Sequence, residues 1–295
     1  IVVQDNGKIV FVGSTYNSSD NDFALVRLNA DGSLDTSFDS TTDIVVGGTA
    51  AYTENGAAVI LEINAKFDDV ELSALNNGLG DFAGATLNLV RDGGANSDDV
   101  FALNTQGAVF TISGSDLLSG GQKFASFNQT DGNFEIAFTS TATAAATAFV
   151  NALAQAVTYS STSDAPPSSV NIAWSLNDGN TGTQGAGGAL IGSGNTIVTI
   201  TPVNDAPVIT NEVSDAQGTV VEAGYADDGT AVAGTVSVNG QLSASDVDMG
   251  ATETWSIQGT PSTTYGSLAI TNTTTGAWTY TLDNNLATTQ ALPED

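Results

Sequence analysis

The sequence predicts an all-β protein built from β-sandwich domains arranged in series. Short runs rich in Thr, Val, Ile and aromatic residues alternate with clusters of Gly, Asn, Asp and Ser, which is typical of strands joined by turns. Hydrophobic residues make up 41% of the 295 positions, so the chain can form real cores, and its length suggests two or three domains. Residues 201–208 carry Pro202 and Pro207, which favour an extended link between domains over a helix.

The first part, residues 1–40, is predicted to be a partial β-hairpin element. Residues 8–14 and 22–29 have strand composition and are separated by the polar loop 15–21, and residues 29–32 form a tight turn. About forty residues rarely hold a core without disulfides or metal, so we expect this element to need a neighbour.

The middle part, residues 41–204, is predicted to be one β-sandwich with a single short helix. The strand candidates share the same composition and are residues 57–63, 85–90, 108–112, 134–138, 170–176 and 195–200. Residues 144–157 break the pattern, because Phe149, Val150, Leu153, Ala154 and Val157 fall on one helical face. We expect the helix to pack between two strands, with Thr143 as its cap.

The third part, residues 205–295, is predicted to be a second sandwich, truncated at its end. Its strand candidates are residues 219–222, 240–245, 252–258, 266–270 and 277–282. In the last of these, Trp278, Tyr280 and Leu282 alternate with threonines, so the large side chains share one face. A core is the first interpretation of that face, and a carbohydrate-stacking platform is the alternative.

The net charge of the chain narrows the range of molecules that it is expected to bind. The chain has 33 acidic residues against five Lys and Arg, a net charge of −28, and 25 of the acids are Asp. Such a charge disfavours binding to nucleic acid and to anionic membranes, and bound divalent cations would relieve the self-repulsion. No apolar run approaches the roughly 20 residues that span a bilayer, so no direct membrane insertion is expected. The sequence starts and stops without obvious domain ends and is expected to be an internal piece of something longer.

Residue inventory also argues against an enzyme. The chain has no His and no Cys, which excludes Ser-His-Asp and Cys-His nucleophiles and His-ligated zinc. No Gly-rich phosphate loop with a Lys is present. The acids lie among Gly, Asn and Ser in turns, where nothing marks the buried carboxyl group that glycoside hydrolysis needs.

Two short motifs offer oxygen ligands for calcium. Asn204 and Asp205 lie in the extended link between the prolines, and Asp246 and Asp248 are separated by one residue just after a predicted strand. Glu222 belongs to the same third part and is a further candidate. The alternatives are a plain proline-linked spacer for the first motif and a solvated acidic loop for the second. Two other groups, Asn29/Asp31/Asp35 and Asp178/Gly179/Asn180, are better explained as turns.

The same residues resemble known repeat families of large bacterial surface proteins, including RTX-type adhesins. Residues 41–204 resemble a cadherin-like repeat, and the motifs are YTENG at 52–56, DFAGATL at 81–87, VTYS at 157–160, LNDGN at 176–180 and VTITP at 198–202. The link PVNDAPV at 202–208 resembles the linker between tandem cadherin-like repeats. Residues 235–283 resemble a VCBS repeat, through GQLSASDVD at 240–248, YGSL at 265–268 and GAWTY at 276–280. Residues 7–38 resemble a delta-60 repeat, a propeller-like element, through GKIV at 7–10, DFAL at 22–25 and NADGSLDTSF at 29–38.

The resemblance implies tandem Ig/cadherin-like β-sandwich domains, secreted or displayed at a bacterial surface, with calcium at the domain junction. The implied metal ligands are Glu54, Asn204, Asp205, Asp246 and Asp248. Two positions depart from the cadherin pattern, namely Pro202 in place of an Asp and Ala206 in place of an Asn, so fewer ions are expected than at a full cadherin linker. Asp98 and Asp99 are the candidates for the internal acidic pair of the family.

Three functions remain open at this point. The first is a calcium-stiffened stalk or adhesive segment, with adjacent repeats of the same chain as partners and a host-surface or matrix glycan or protein as target. The second is a self-assembling filament or matrix subunit, in which other copies complete the sheets. The third is an accessory region of a secreted polysaccharide-degrading enzyme, which rests on the aromatic face around Trp278 alone.

Overall fold

The computed structural model describes residues 1–16, 21–33, 42–181 and 188–292. The chain divides into two compact units, Ile1–Val203 and Asn204–Asp295. The protein is mostly β with several separate sheets, and none of the sheets in the described ranges closes into a barrel. The division into three parts made from the sequence stays a prediction.

The first unit begins with a three-stranded antiparallel sheet. Its strands are β1 (Val2–Val3), β2 (Ile9–Tyr16) and β3 (Asn21–Leu28), in the order β1-β2-β3. Strands were expected at β2 and β3, and residues 1–3 also have the composition of a strand interior. The predicted turn follows, since the amide of Gly32, at φ 85°, donates to the carbonyl of Asn29 at 2.9 Å. Phe11 and Val12 lie on opposite faces of β2, and both are partly exposed.

The rest of the first unit contains a large mixed sheet and two smaller ones. Its strands are β4 (Thr42–Val45), β5 (Thr49–Thr53), β6 (Val59–Ile60), β7 (Lys66–Asp69), β8 (Thr86–Arg91), β9 (Asp99–Leu103), β10 (Thr111–Ser113), β11 (Asp116–Ser119), β12 (Gln122–Thr130), β13 (Asn133–Phe138), β14 (Val157–Ser161), β15 (Ser169–Asn177) and β16 (Ile191–Thr201). The eight-stranded sheet has the order β10-β11-β12-β13-β8-β15-β16-β5, and β5 alone runs parallel to its neighbour. The smaller sheets are β6-β14-β9 and β4-β7.

The core lies between the eight-stranded sheet and the β6-β14-β9 sheet. Tyr159 of β14 meets Tyr52 of β5 edge-to-face with ring centres 5.8 Å apart, and Phe101 of β9 stacks on Phe134 of β13 at 6.1 Å. Strand β15 shows the period of two that buries alternate side chains against this core, and its Trp174 donates its indole N–H to Thr196. Two strand predictions differ from the structure. Of residues 57–63, only Val59–Ile60 form a strand, β6. Of residues 108–112, only the last two belong to a strand, β10 (Thr111–Ser113).

The middle part contains two helices, which corrects the expectation of one. Helix α2 (Thr147–Ala156) lies inside the predicted range and buries Val150, Leu153 and Ala154. The predicted cap was wrong. The N-cap is Ala146, whose methyl side chain cannot accept a hydrogen bond. The chain before it is held out of the helix, because the N–H of Ala145 donates to the hydroxyl of Ser140 and the carbonyl of Ala145 accepts from the N–H of Phe82.

The unpredicted helix is α1 (Val70–Gly78). Its N-cap is Asp69, whose carboxylate accepts from the amide of Leu72 at 2.8 Å. The helix is broken at Asn76 and Asn77, which have φ of 54° and 59°, so it carries no sustained period of 3.6 that a sequence pattern could reveal.

The second unit is built from short strands and a small sheet. Its elements are β17 (Val208–Ile209), the 3-10 helix Val213–Ala216, β18 (Gly224–Tyr225), β19 (Ala231–Val232), β20 (Ser237–Gln241), β21 (Ala244–Ser245), β22 (Gly266–Asn272) and β23 (Ala277–Leu282). They pair as β17-β21, β18-β19 and β20-β23-β22. The predicted strand at 219–222 is reduced to a bridge between Val221 and Thr235, and the predicted strand at 252–258 has no ladder partner in the described part of the chain.

This unit has a very small core. Among its described residues, the buried hydrophobic side chains are Trp278 and Leu282, both on β23. The period of two along β23 therefore marks a core face, as predicted, and Tyr280 is partly covered on the same face.

Candidate metal centre

Glu54 is held at the end of β5 by backbone bonds on both sides. Its own N–H donates to the carbonyl of Thr201 at 3.0 Å, and the next residues turn sharply, with Asn55 at φ 57° and the amide of Gly56 bonded back to Thr53. The alternation of β5 places Tyr52 and Glu54 on the buried side. A glutamate at this position is therefore directed toward the interior by strand geometry.

The two oxygens of the Glu54 carboxylate have different environments. Oε2 accepts from the backbone N–H of Val203 at 2.8 Å. Glu54 is only 3% exposed, and its Oε1 is buried without a hydrogen-bond partner among the described residues. A buried carboxylate oxygen without a donor is costly, because it has lost its water and gained nothing in return.

A second carboxylate lies beside that of Glu54. Ligand oxygens of Glu54 and of Asp164 approach within 4.8 Å, and Asp164 is on the exposed loop after β14. The strands explain this proximity: the hydroxyl of Tyr52 donates to the carbonyl of Ser161 at 3.1 Å, so the residues just beyond β5 and β14 emerge together. The sequence pattern missed Asp164, because its loop is 110 residues from Glu54 and carries no motif of its own.

In the second unit, the acidic residues of the link and of the Asp-x-Asp motif are joined by hydrogen bonds. The amide of Asp205 donates to Oδ2 of Asp248 at 2.7 Å, and the amide of Asp248 donates to Oδ1 of Asp246 at 2.9 Å. The side-chain amide of Asn204 donates to the backbone carbonyl of Asp205. The structure thus brings Asp205 and Asp248 together, in an arrangement that backbone donors already satisfy in part.

Glu222 is placed elsewhere. Its carboxylate accepts from the side-chain amide of Gln290. In the described ranges, no group of three or more potential metal-ligating side chains includes Glu222, Asp246 or Asp248.

The candidacy of Asp99 as an internal calcium ligand is wrong. Asp99 is fully buried and receives two bonds from Arg91, Nε to Oδ2 at 2.8 Å and Nη2 to Oδ1 at 2.5 Å, and a third from the hydroxyl of Tyr159 at 2.7 Å. The side-chain amide of Gln129 donates to its backbone carbonyl. Because Arg91 neutralises its charge and both carboxylate oxygens accept hydrogen bonds from protein groups, Asp99 stabilises the fold and is not arranged as a metal ligand.

The Asp99 network gives a prediction for alkaline pH. Burial, and then the hydrogen bond to Asp99, raises the pKa of Tyr159 well above its ordinary value of 10.0. Below pH 10 the phenol is neutral in both states. As pH rises above 10, the unfolded chain releases this proton while the folded chain keeps it, so folding stability should fall. Urea unfolding at pH 9, 10 and 11 should show a steeper loss for the wild type than for Tyr159→Phe, by up to about 1.4 kcal/mol per pH unit. Parallel curves would contradict this assignment.

The carboxylates of Asp31 and Asp178, which were predicted to lie in turns, accept hydrogen bonds from groups of the protein. The carboxylate of Asp31 accepts from the hydroxyl and the amide of Ser33, and these bonds lower the pKa of Asp31. Asp178 accepts from the amides of Asn180 and Leu190 at 2.9 and 3.0 Å. Asp35 lies outside the described residues.

The aromatic face does not form an open platform. The side chain of Trp278 is 7% exposed and lies against Gly240, where an added Cβ would come within 2.7 Å of the indole ring. Trp278 helps to line an open groove of about 670 Å³, together with residues 216–220, Val238, Leu268 and Tyr280. A ring with so little exposed surface offers no free face to a sugar, so the accessory-region hypothesis loses the observation that motivated it.

Comparison with known families identifies one segment. Residues 4–38 match the family model described as a β-propeller domain of unknown function (DUF5122), which indicates a repeat-type β domain at the segment that resembles a delta-60 repeat. No curated protein matches the chain in sequence. None of the helices in the described ranges has the length and apolar character needed to cross a bilayer.

Proposed function

We propose that this chain is a non-enzymatic, calcium-stiffened stalk or adhesive segment of a large secreted or surface-displayed bacterial protein. The observation that carries the proposal is the carboxylate of Glu54: its buried Oε1 lacks a hydrogen-bond partner among the described residues, and the group lies beside the carboxylate of Asp164. A divalent cation would satisfy both carboxylates at once.

The charge balance favours a cation over a Lys or Arg side chain as that partner. The whole chain has five basic residues, and two of them, Arg91 and Lys123, are engaged with Asp99 and Asp116. Two carboxylates within 4.8 Å repel each other strongly when one of them is shielded from water. An ion held between them converts that repulsion into attraction.

The donor set favours calcium over other divalent ions. Glu54 and Asp164 offer carboxylate oxygens, and the chain has no His or Cys that would select zinc or copper. Calcium takes six to eight oxygens from carboxylates, carbonyls and water, in a geometry that tolerates loops. The amide of Val203 is bonded to Glu54, so the chain just before the link is held at this carboxylate.

The resemblance to cadherin-like, VCBS-like and RTX-type repeats supplies the biological setting of the proposal. In that setting the domains are Ig/cadherin-like sandwiches outside the cell, adjacent repeats are the immediate partners, and the adhesive target is a surface glycan or protein. An ion bound where a proline-rich link leaves a domain would restrict the motion of the link, and this restriction is the mechanical role that we assign to it.

Calcium titration of full-length protein stripped with chelator tests the proposal. We expect heat release on calorimetry and a rise in melting temperature, equivalent to about 2.7 kcal/mol when calcium is at 100 times its Kd. Glu54→Gln should abolish most of both, because the amide still accepts from Val203 but no longer carries charge. Asp164→Asn should weaken binding to a smaller degree, since its loop is exposed.

The matched control is Glu135→Gln, which removes one charge from an exposed position on β13. It should bind calcium like the wild type. Identical titrations for Glu54→Gln and Glu135→Gln would refute the site, and an equal response to magnesium at the same concentration would show general charge screening instead.

A further inference from the structure

Strand β22 is an edge strand with outward-pointing backbone groups. The order is β20-β23-β22, so β23 is its one strand neighbour in the described residues. The amide of Leu282 on β23 donates to the segment that leads into β20. Backbone groups alternate in direction along an antiparallel ladder, so Thr281 and its partner Ser267 face each other. The N–H and C=O groups of Leu268 and Ile270 therefore point away from β23.

This outer edge is open to a further strand. In the described part of the chain, no other segment forms a backbone hydrogen bond with Leu268 or Ile270. Leu268, Ala269 and Thr271 are exposed. Strand β22 also contains no charged residue and no proline, which are the features that usually keep other chains off an edge. The edge thus has unpaired donors and acceptors and no local obstacle to strand addition.

A groove lies on one face of the sheet beside this edge. Val238, Tyr280 and Leu268 form one row across the three strands, and all of them line the groove of about 670 Å³. Residues that are directly opposite on neighbouring strands share a face, so a residue added opposite Leu268 would place its side chain on the groove face. Trp278 also lines the groove, and its indole N–H has no hydrogen-bond partner in the described residues. Backbone pairing and a pocket for alternate side chains are the two features of strand-addition sites.

The charges around the edge favour a basic partner. Residues 204–295 contain twelve acidic residues and no Lys or Arg. The amide of Asp283 donates to the carbonyl of the residue that precedes β22. At the other end, the amide of Trp255 donates to Thr273, just beyond β22, and Glu253 is two residues away along the chain. An uncharged strand with acids near both ends is complementary to a segment with basic ends, whereas a second copy of this chain brings a net charge of −28 to the contact.

We propose that the outer edge of β22 binds an extended peptide segment of another protein, uncharged in its centre and basic at its ends. Its main chain pairs with Leu268 and Ile270, an alternate apolar side chain lies in the groove beside Leu268, and its basic ends lie near Asp283 and Glu253. This site belongs to the second unit and uses backbone groups as ligands. It therefore goes beyond the proposed calcium site and does not depend on it.

NMR titration of the full chain in chelator tests the proposal. The probe is a capped peptide with a centre of alternating valine and threonine, as long as β22, and two lysines at each end. We expect it to shift the amide signals of Leu268 and Ile270 and to slow their hydrogen exchange by at least about tenfold. Unchanged signals at these two residues, or equal binding of the same peptide with glutamates in place of the lysines, would overturn the proposal.

Two substitutions at one position isolate the backbone pairing. Leu268→Pro removes the outward N–H and should weaken peptide binding at least about tenfold, because proline cannot donate. Leu268→Val keeps that N–H and should bind the peptide like the wild type. The protection of the β20 and β23 amides reports in the same spectra whether the sheet is still folded. Equal affinities of the two variants would contradict backbone pairing.

A charge variant tests the same site without touching the ladder. Asp283→Asn should weaken binding of the lysine peptide several-fold at low salt, whereas Glu135→Gln, which removes one charge from the first unit, should not. Equal losses would assign the binding to general attraction by the net charge and overturn the site. Sedimentation velocity of the chain without peptide should show monomers. Dimers that Leu268→Pro abolishes would assign the edge to a second copy instead and overturn the proposed partner.

Discussion

Replacing Asp99 by alanine is expected to lower the free energy of unfolding of the first unit by about 3–5 kcal/mol. Asp99 is fully buried between the two packed sheets and neutralises Arg91 through two hydrogen bonds. Its removal leaves a guanidinium that is mostly shielded from water and a buried Tyr159 hydroxyl, each without its acceptor. The cost comes mainly from that uncompensated charge and not from the intrinsic strength of the pair.

An exposed ion pair in the same unit provides the control. Lys123 and Asp116 approach to 2.6 Å, but their side chains are 40% and 42% exposed. Asp116→Ala should cost no more than about 1 kcal/mol, since solvent screens the pair. Urea unfolding followed by tryptophan fluorescence measures both variants. The double variant Arg91→Met/Asp99→Leu should recover much of the loss, because it removes the charge together with its partner. Equal costs for Asp99→Ala and Asp116→Ala would contradict the network.

Local patterns were enough to predict the elements that bury one face. Strand β15 was found from its strand-like composition, and helix α2 was found from a period of 3.6, because burial of every third to fourth side chain leaves a direct mark on the sequence. Strand β23 was predicted with its bounds, and its core face was identified. Helix α1 was missed for the converse reason, since its residues are mostly polar and left-handed asparagines interrupt it.

Contacts between different sheets could not be predicted in this way. Asp99 follows Asp98 at the start of β9 and has the composition of a ligand pair, but Arg91 reaches it from the end of β8, in the opposite sheet. Asp164 could not be identified as a candidate ligand for the same reason, because its proximity to Glu54 depends on how β14 lies against β5. Glu54 itself was identified through family resemblance, whereas its buried, donor-free oxygen is a property of the fold alone.

The second unit should be the part of the molecule most easily unfolded, and Trp278→Ala should unfold it selectively. Removing a buried tryptophan typically costs about 3–5 kcal/mol. Trp278 and Leu282 are the buried hydrophobic side chains of this unit in its described residues, so the substitution removes most of the core. Residues 204–295 also contain twelve acidic residues and no Lys or Arg, and their mutual repulsion leaves little stability in reserve.

Hydrogen exchange of the full chain distinguishes selective from global unfolding. In Trp278→Ala, the amides of β20, β22 and β23 should exchange at the unstructured rate, while those of β8 and β15 keep their protection. Tyr225→Ala removes an aromatic side chain that is 73% exposed and should change neither set. Gly240→Ala should act in the same direction as Trp278→Ala, because the new methyl group would displace the indole from its place against the strand. If the amides of β23 stayed protected in Trp278→Ala, the stability of the second unit would have to come from its hydrogen bonds and bound ions instead of its core.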